Sequence, residues 1–217
     1  MKEQDLQHLR HLADLRDLQL PPAAYDMSNR DFRFMQMAHT EAYKSPINMQ
    51  HGCIAVMNGK VVARGYNTDR CHSKDGLLKR AWCCHAEIDV LRKLFRFLHI
   101  SGISSISGIP GVSELRRHLS SLSKVTLYVA RASYTDDRLP KSSGPCNNCV
   151  SMLRSMNIKN VAFVSSDNRF VKCSPRDYTI AHITSGHRCV IRRNPNPANS
   201  AIHPIRPIPN ILTILTT

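Results

Sequence analysis

The chain has 217 residues and a mass of 24.5 kDa, with 42% hydrophobic, 6% aromatic and 21% charged residues. That is enough apolar material for one globular domain with extensions, and it excludes wholesale disorder. No stretch reaches the ~18 consecutive apolar residues a membrane span needs, and the N-terminus is too polar for a secretory signal, so a soluble, intracellular protein is expected. Eight cysteines are too few for a disulfide-dense scaffold and read as thiols or metal ligands in a reducing compartment. The net charge is +14, and residues 151–217 alone carry nine basic and two acidic side chains. Such a field suits phosphate-bearing partners, nucleotide or polynucleotide, and serves solubility equally well.

In chain order, Leu6, Leu9, Leu12, Leu15 (or Leu18) and Leu20 suit a short amphipathic helix over residues 5–20, stopped by Pro21-Pro22. Ser28 with Asp31 three residues later reads as a helix N-cap. Phe32, Met35, Ala38 and Ala42 then recur at helical spacing until Pro46. Cys53–Met57 and Val61–Arg64 flank Asn58-Gly59, the strongest short-range hairpin signal. A helix is predicted over Ala86–Leu98, with Ile88, Leu91, Leu94, Phe95 and Leu98 on one face. Residues 101–123 are Ser/Gly-rich and read as a surface insertion, with a short helix around Glu114–Leu119. Val125–Ala130 is predicted as a strand, Cys146–Met156 as a helix, and Val161–Val164 and Phe170–Cys173 as strands. The tail from Asn194 to Pro209 carries five of the twelve prolines and reads as extended.

Two short motifs carry the chemistry. Cys84-His85-Ala86-Glu87 stands at one predicted helix start, and Pro145-Cys146-Asn147-Asn148-Cys149 at another. Cys146 and Cys149 lie one turn apart, so both thiolates can face one point, and His85 supplies an imidazole. Three protein ligands on a tetrahedral Zn²⁺ leave one position for water, the pattern of a catalytic centre rather than a closed structural one. Helix N-termini favour thiolate over thiol there. A carboxylate two residues beyond the histidine, Glu87, can carry protons from water to a base and then to a departing amine.

His-Ala-Glu followed by Pro-Cys-x-x-Cys resembles the signature of the zinc-dependent cytidine and deoxycytidylate deaminase superfamily. The resemblance covers residues 29–175. It implies an α/β, cytidine-deaminase-like three-layer sandwich, with a mixed five-stranded sheet flanked by helices. Residues 1–28 then form an N-terminal extension, and residues 176–217 a basic, proline-rich C-terminal one. The implied activity is hydrolytic deamination of a nucleobase, with Zn²⁺ on His85, Cys146 and Cys149 and with Glu87 as the proton carrier. The first substrate reading is cytosine in a nucleotide such as deoxycytidylate. Alternatives are cytosine or adenine in RNA or single-stranded DNA, and an inactive zinc protein that binds nucleic acid; the intact Glu87 argues against the last.

Asn67, just beyond the second strand, takes the place of an asparagine that holds substrate in deaminases of this kind; the other reading is a turn residue. Family members often assemble, so a homo-oligomer is an implication of the resemblance, with no membrane partner. His85 in place of cysteine points to the deoxycytidylate, tRNA or polynucleotide branches, whereas the short Val164–Phe170 link points to the nucleoside-deaminase arrangement of the last two strands. Arg131, Arg138 and Lys141 precede Pro145 and are candidates for substrate phosphate, or simply a solvated loop. Trp82, Tyr128 and Tyr134 are candidate site walls or core residues. A second metal site from Cys71, His72 and Cys83 or Cys84 lacks the usual C-x-x-C spacing.

Overall fold

The computed structural model describes residues 27–74, 77–78, 83–98, 118, 120–132 and 141–179. The leucine-rich segment 5–20, Trp82, Tyr134, Arg138, the proline-rich tail and most of the 101–123 insertion lie outside these residues. Of the short helix expected near Glu114–Leu119, only His118 is described; it and residues 120–122 are helical.

Helix α1 (Asn29–Ala42) begins where Ser28 accepts a hydrogen bond from the Asp31 backbone amide at 3.1 Å, as the capping signal predicts. Strands β1 (His51–Met57) and β2 (Lys60–Tyr66) form the expected hairpin. Both turn residues adopt positive φ, 50° at Asn58 and 77° at Gly59, the conformation this tight turn demands. Helix α2 (Ala86–Phe97), strand β3 (Val125–Arg131), helix α3 (Asn147–Ser155) and strands β4 (Asn160–Val164) and β5 (Phe170–Cys173) complete the body.

The sheet order is β2-β1-β3-β4-β5. The β3–α3–β4 unit makes a parallel pair, and all other neighbours are antiparallel. The β4–β5 pair is therefore a hairpin, as the short link between Val164 and Phe170 implies. Alternation along the strands sorts the core into two faces. Cys53, Ala55, Leu127, Val129, Val161 and Phe163 pack with α2 and α3. Ile54, Val56, Tyr128, Ala130, Ala162 and Val164 pack with Phe34, Met35 and Ala38 of α1. The result is the three-layer α/β sandwich that the motifs imply.

Two glycines let the helices sit flush on this sheet. A Cβ on Gly52 would meet the Ala38 carbonyl oxygen at 2.1 Å, and one on Gly65 would meet the Val90 amide nitrogen at 2.8 Å. Gly52 thus admits α1 to one face, and Gly65 admits α2 to the other. Past β5 the chain stays attached. Arg154 donates to the carbonyls of Pro175 and Tyr178, at 2.7 Å each, and the Tyr178 ring lies 4.9 Å from Phe163.

Candidate metal and catalytic centre

The centre lies on the α2/α3 face, where two helices begin. His85 is the N-cap of α2, with extended backbone at φ −70° and ψ 154°, and its carbonyl receives the Asp89 amide at 3.0 Å. Cys146 is the N-cap of α3, at φ −73° and ψ 167°, and its carbonyl receives the Val150 amide at 2.9 Å. Neither side chain caps its own helix. Both are left to point at a shared location, with the positive ends of two helix dipoles beside it.

The convergence is close. The Nδ1 of His85 stands 3.5 Å from Cys146 Sγ and 3.3 Å from Cys149 Sγ. All three donor atoms lie within 4.8 Å of one another, the one such metal-ligating group among the described residues. Tetrahedral zinc with ordinary bond lengths separates a nitrogen from a sulfur ligand by about 3.6 Å, so the donor set fits zinc in chemistry and in spacing. Nδ1 is the ring nitrogen it would use.

The electrostatics agree. Hydrogen bonding from Cys149, opposed by burial and reinforced by His85, draws the Cys146 thiol down to about 4, well into thiolate territory. Cys149, donating to that thiolate and fully buried, is pushed up. Glu87 occupies the first turn of α2, is 5% exposed and sits within hydrogen-bonding reach of Cys149. Burial raises its carboxyl above the usual range, against the pull of His85.

Backbone ties hold the histidine in place. Thr68 and Cys84 exchange two hydrogen bonds, at 2.9 and 3.0 Å, across an isolated bridge one residue before His85. On the α3 side, Ser143 donates to the Val129 carbonyl at 2.8 Å and receives the Val164 amide at 3.1 Å, fixing the approach to Cys146 between β3 and β4.

Asn67 is buried at 7% exposure, and both ends of its amide are engaged by backbone. Its Oδ1 accepts from the His51 amide at 2.7 Å, and its Nδ2 donates to the Met49 carbonyl at 2.8 Å. It therefore clasps the entry to β1. Sequence reasoning did not single out His51 as a site residue, although its place at the head of the first strand was the available signal. It shares the α2/α3 side with Cys53 and Ala55 and feels the charges of His85 and Cys146. Burial, with Arg131 nearby, lowers it to about 4, which leaves a neutral ring. Its Nδ1 lies 2.9 Å from the Met49 carbonyl, which can only accept, so that nitrogen carries the proton.

The remaining candidates separate from the centre. Tyr128 faces α1, on the other side of the sheet. Cys71 and His72 are exposed, Cys84 is packed in the core, and no second metal-ligating group forms among the described residues.

Residues 28–165 match the sequence model of the cytidine and deoxycytidylate deaminase zinc-binding region. The chain belongs to this family. It is a zinc-dependent hydrolytic deaminase, with His85, Cys146 and Cys149 placed to take the metal. Among solved structures, the deoxycytidylate deaminase of cyanophage S-TIM5, in complex with dCMP and dUMP, is 22% identical; the match covers 62% of this chain and 81% of that one, with a TM-score of 0.36. The cytidine deaminase of Burkholderia pseudomallei is 18% identical over 72% of this chain and 100% of that one, with a TM-score of 0.42. RibD of Acinetobacter baumannii is 19% identical over 61% of this chain and 27% of its own, with a TM-score of 0.31. No curated protein matches the sequence. No helix among the described residues is long and apolar enough to cross a membrane.

Proposed function

We propose that this deaminase acts on cytosine in a nucleotide such as deoxycytidylate, with His85, Cys146 and Cys149 as metal ligands and Glu87 as the proton-transfer residue. The supporting observation is the placement of a buried carboxylate beside the three-donor cluster, on the first turn of the helix that His85 caps. A purely structural zinc site has no use for such a carboxylate. Zinc, when bound, supplies a Lewis acid that makes hydroxide available from water near neutral pH. Glu87 takes the proton released as water adds to the base and delivers it to the ring nitrogen. It then passes a proton to the amine, which leaves as ammonia, so water and cytosine give uracil and ammonia. Asn67 contributes to substrate binding by holding the Met49–His51 segment at the site's edge.

The basic excess of the chain supports a second reading, deamination within RNA or single-stranded DNA. Against it, aromatics are only 6% of the chain, too sparse for a stacking platform of successive bases. Ammonia release from nucleosides, nucleotides and cytosine-bearing oligonucleotides at matched base concentration and several salt levels tests both. Deoxycytidylate is the expected preference. Preference for the oligonucleotide, falling steeply with salt, would replace it. Light scattering of the zinc-loaded protein reads the homo-oligomer that the family resemblance implies.

A further inference from the structure

Arg131, the last residue of β3, lies directly across from His51 in the β1–β3 ladder. Directly opposed residues on antiparallel strands project to the same face. For this pair it is the α2/α3 face, since Val129 and Leu127 alternate with Arg131 and join that core. The guanidinium is thus on the side of the sheet that carries the metal cluster. His51, its neighbour, already feels both Arg131 and the cluster residues His85 and Cys146.

Met49 organises this corner. Its carbonyl receives Asn67 Nδ2 at 2.8 Å and His51 Nδ1 at 2.9 Å, and its Sδ receives Arg131 Nη2 at 3.2 Å. The thioether is a weak acceptor and engages one of the five guanidinium donors. Arg131 Nε is cut off from solvent without any hydrogen-bond partner, and no carboxylate among the described residues lies within ion-pair distance of the side chain. Met49 itself is 53% exposed, so the corner is open to solutes.

A partly buried guanidinium with a solvent-excluded, unanswered donor, and with no counter-ion among the described residues, is a ready acceptor site for an anion. Its planar fork suits a tetrahedral oxyanion, which accepts two parallel hydrogen bonds. We propose that Arg131 is the anchor for the substrate's phosphate, set in a frame made by Met49, His51 and Asn67. The proposal rests on the nucleotide-deaminase reading above and names which group of the nucleotide is held, and by what. Neutral His51 adds no second positive charge to this corner.

The test separates binding from turnover. Zinc-loaded, full-length protein is titrated calorimetrically with deoxyuridylate, deoxyuridine and a uracil-bearing oligonucleotide, in wild type, Arg131→Ala and Arg131→Lys, with zinc content measured in each. We expect Arg131→Ala to weaken deoxyuridylate binding by about 10²-fold, the usual scale for truncating one partner of a buried charge pair, and deoxyuridine by no more than about threefold. Arg131→Lys should recover part of the loss, since it keeps the charge without the fork. A loss confined to the oligonucleotide would assign the same arginine to a phosphodiester. Equal losses on nucleoside and nucleotide, or none on any phosphate-bearing ligand, would overturn the proposal, whatever the ammonia assay shows. Absence of ammonia from every substrate would overturn the deaminase substrate reading instead, and the binding arm would still decide the role of Arg131.

Discussion

Tyr128 and Asp31, 97 residues apart, share a 2.6 Å hydrogen bond in which the phenol of β3 donates to the carboxylate on the first turn of α1. Lys172 of β5 donates to the same oxygen at 2.7 Å, and Ser28 donates to the other at 2.7 Å. One carboxylate thereby ties α1 to two strands and to its own cap. Burial works to raise Asp31, but hydrogen bonds from Lys172, Tyr128 and Ser28 outweigh it and hold the group below its ordinary value.

Replacing Asp31 should therefore destabilise the fold and spare the chemistry. For Asp31→Asn we expect a loss of about 1.5–3 kcal/mol, the range for hydrogen bonds to a charged group. Chemical denaturation measures it, and zinc content should be unchanged. Because the folded value is depressed, the contribution is complete above the unfolded carboxyl value near ~4 and disappears as pH falls through the folded one. The stability gap between wild type and Asp31→Asn should hold from neutrality to about pH 5 and close below about pH 4. A gap that widens in acid would contradict this assignment.

Glu87→Ala should keep near-stoichiometric zinc and a native melting profile while losing at least ~10² to 10⁴ in rate, the common worth of general acid–base catalysis. Metal analysis beside single-turnover assays reads both. Wild-type turnover in the variant would remove Glu87 from proton transfer.

One zinc per chain is expected, bound through one nitrogen and two sulfurs of the protein, at about 2.0–2.1 Å and about 2.3 Å. X-ray absorption spectroscopy gives the ligand set. Cys149→Ser should lower zinc occupancy sharply, whereas Cys71→Ser should leave it unchanged, because Cys71 is exposed and outside the cluster.

Gly52→Ala should cost at least ~2 kcal/mol, since the new methyl meets helix backbone at Ala38 and Ala42 and no flexible side chain can give way. Thermal melts of the two proteins read the difference. A neutral result would mean α1 can lift off β1 without cost.

Much of this was legible in the chain itself. The Asn58-Gly59 turn, the periodic apolar face of α2 and the short apolar runs of β1 and β3 each express a local rule, and each of these elements forms within two residues of its expected limits. The ligand cluster was legible because a three-residue spacing on a helix is itself geometry. Pairings of remote residues leave no local trace. Nothing near Tyr128 announces that it turns away from the metal toward Asp31, and nothing near Asn67 announces that both ends of its amide are committed to backbone. Register decides such matters, and register is a property of the assembled sheet.

The helix boundaries at His85 and Cys146 carry a cost in local persistence. Ser28 closes the start of α1 with its own oxygen, but the side chains that begin α2 and α3 face the shared three-donor group and cap neither helix, leaving those first turns without that support. Fraying should therefore be distributed unevenly over the molecule. After chelation, amide hydrogens in the opening turns of α2 and α3 should exchange faster than those of α1, and zinc should slow them again. A metal held by His85, Cys146 and Cys149 would then also act as the clamp on two helix ends.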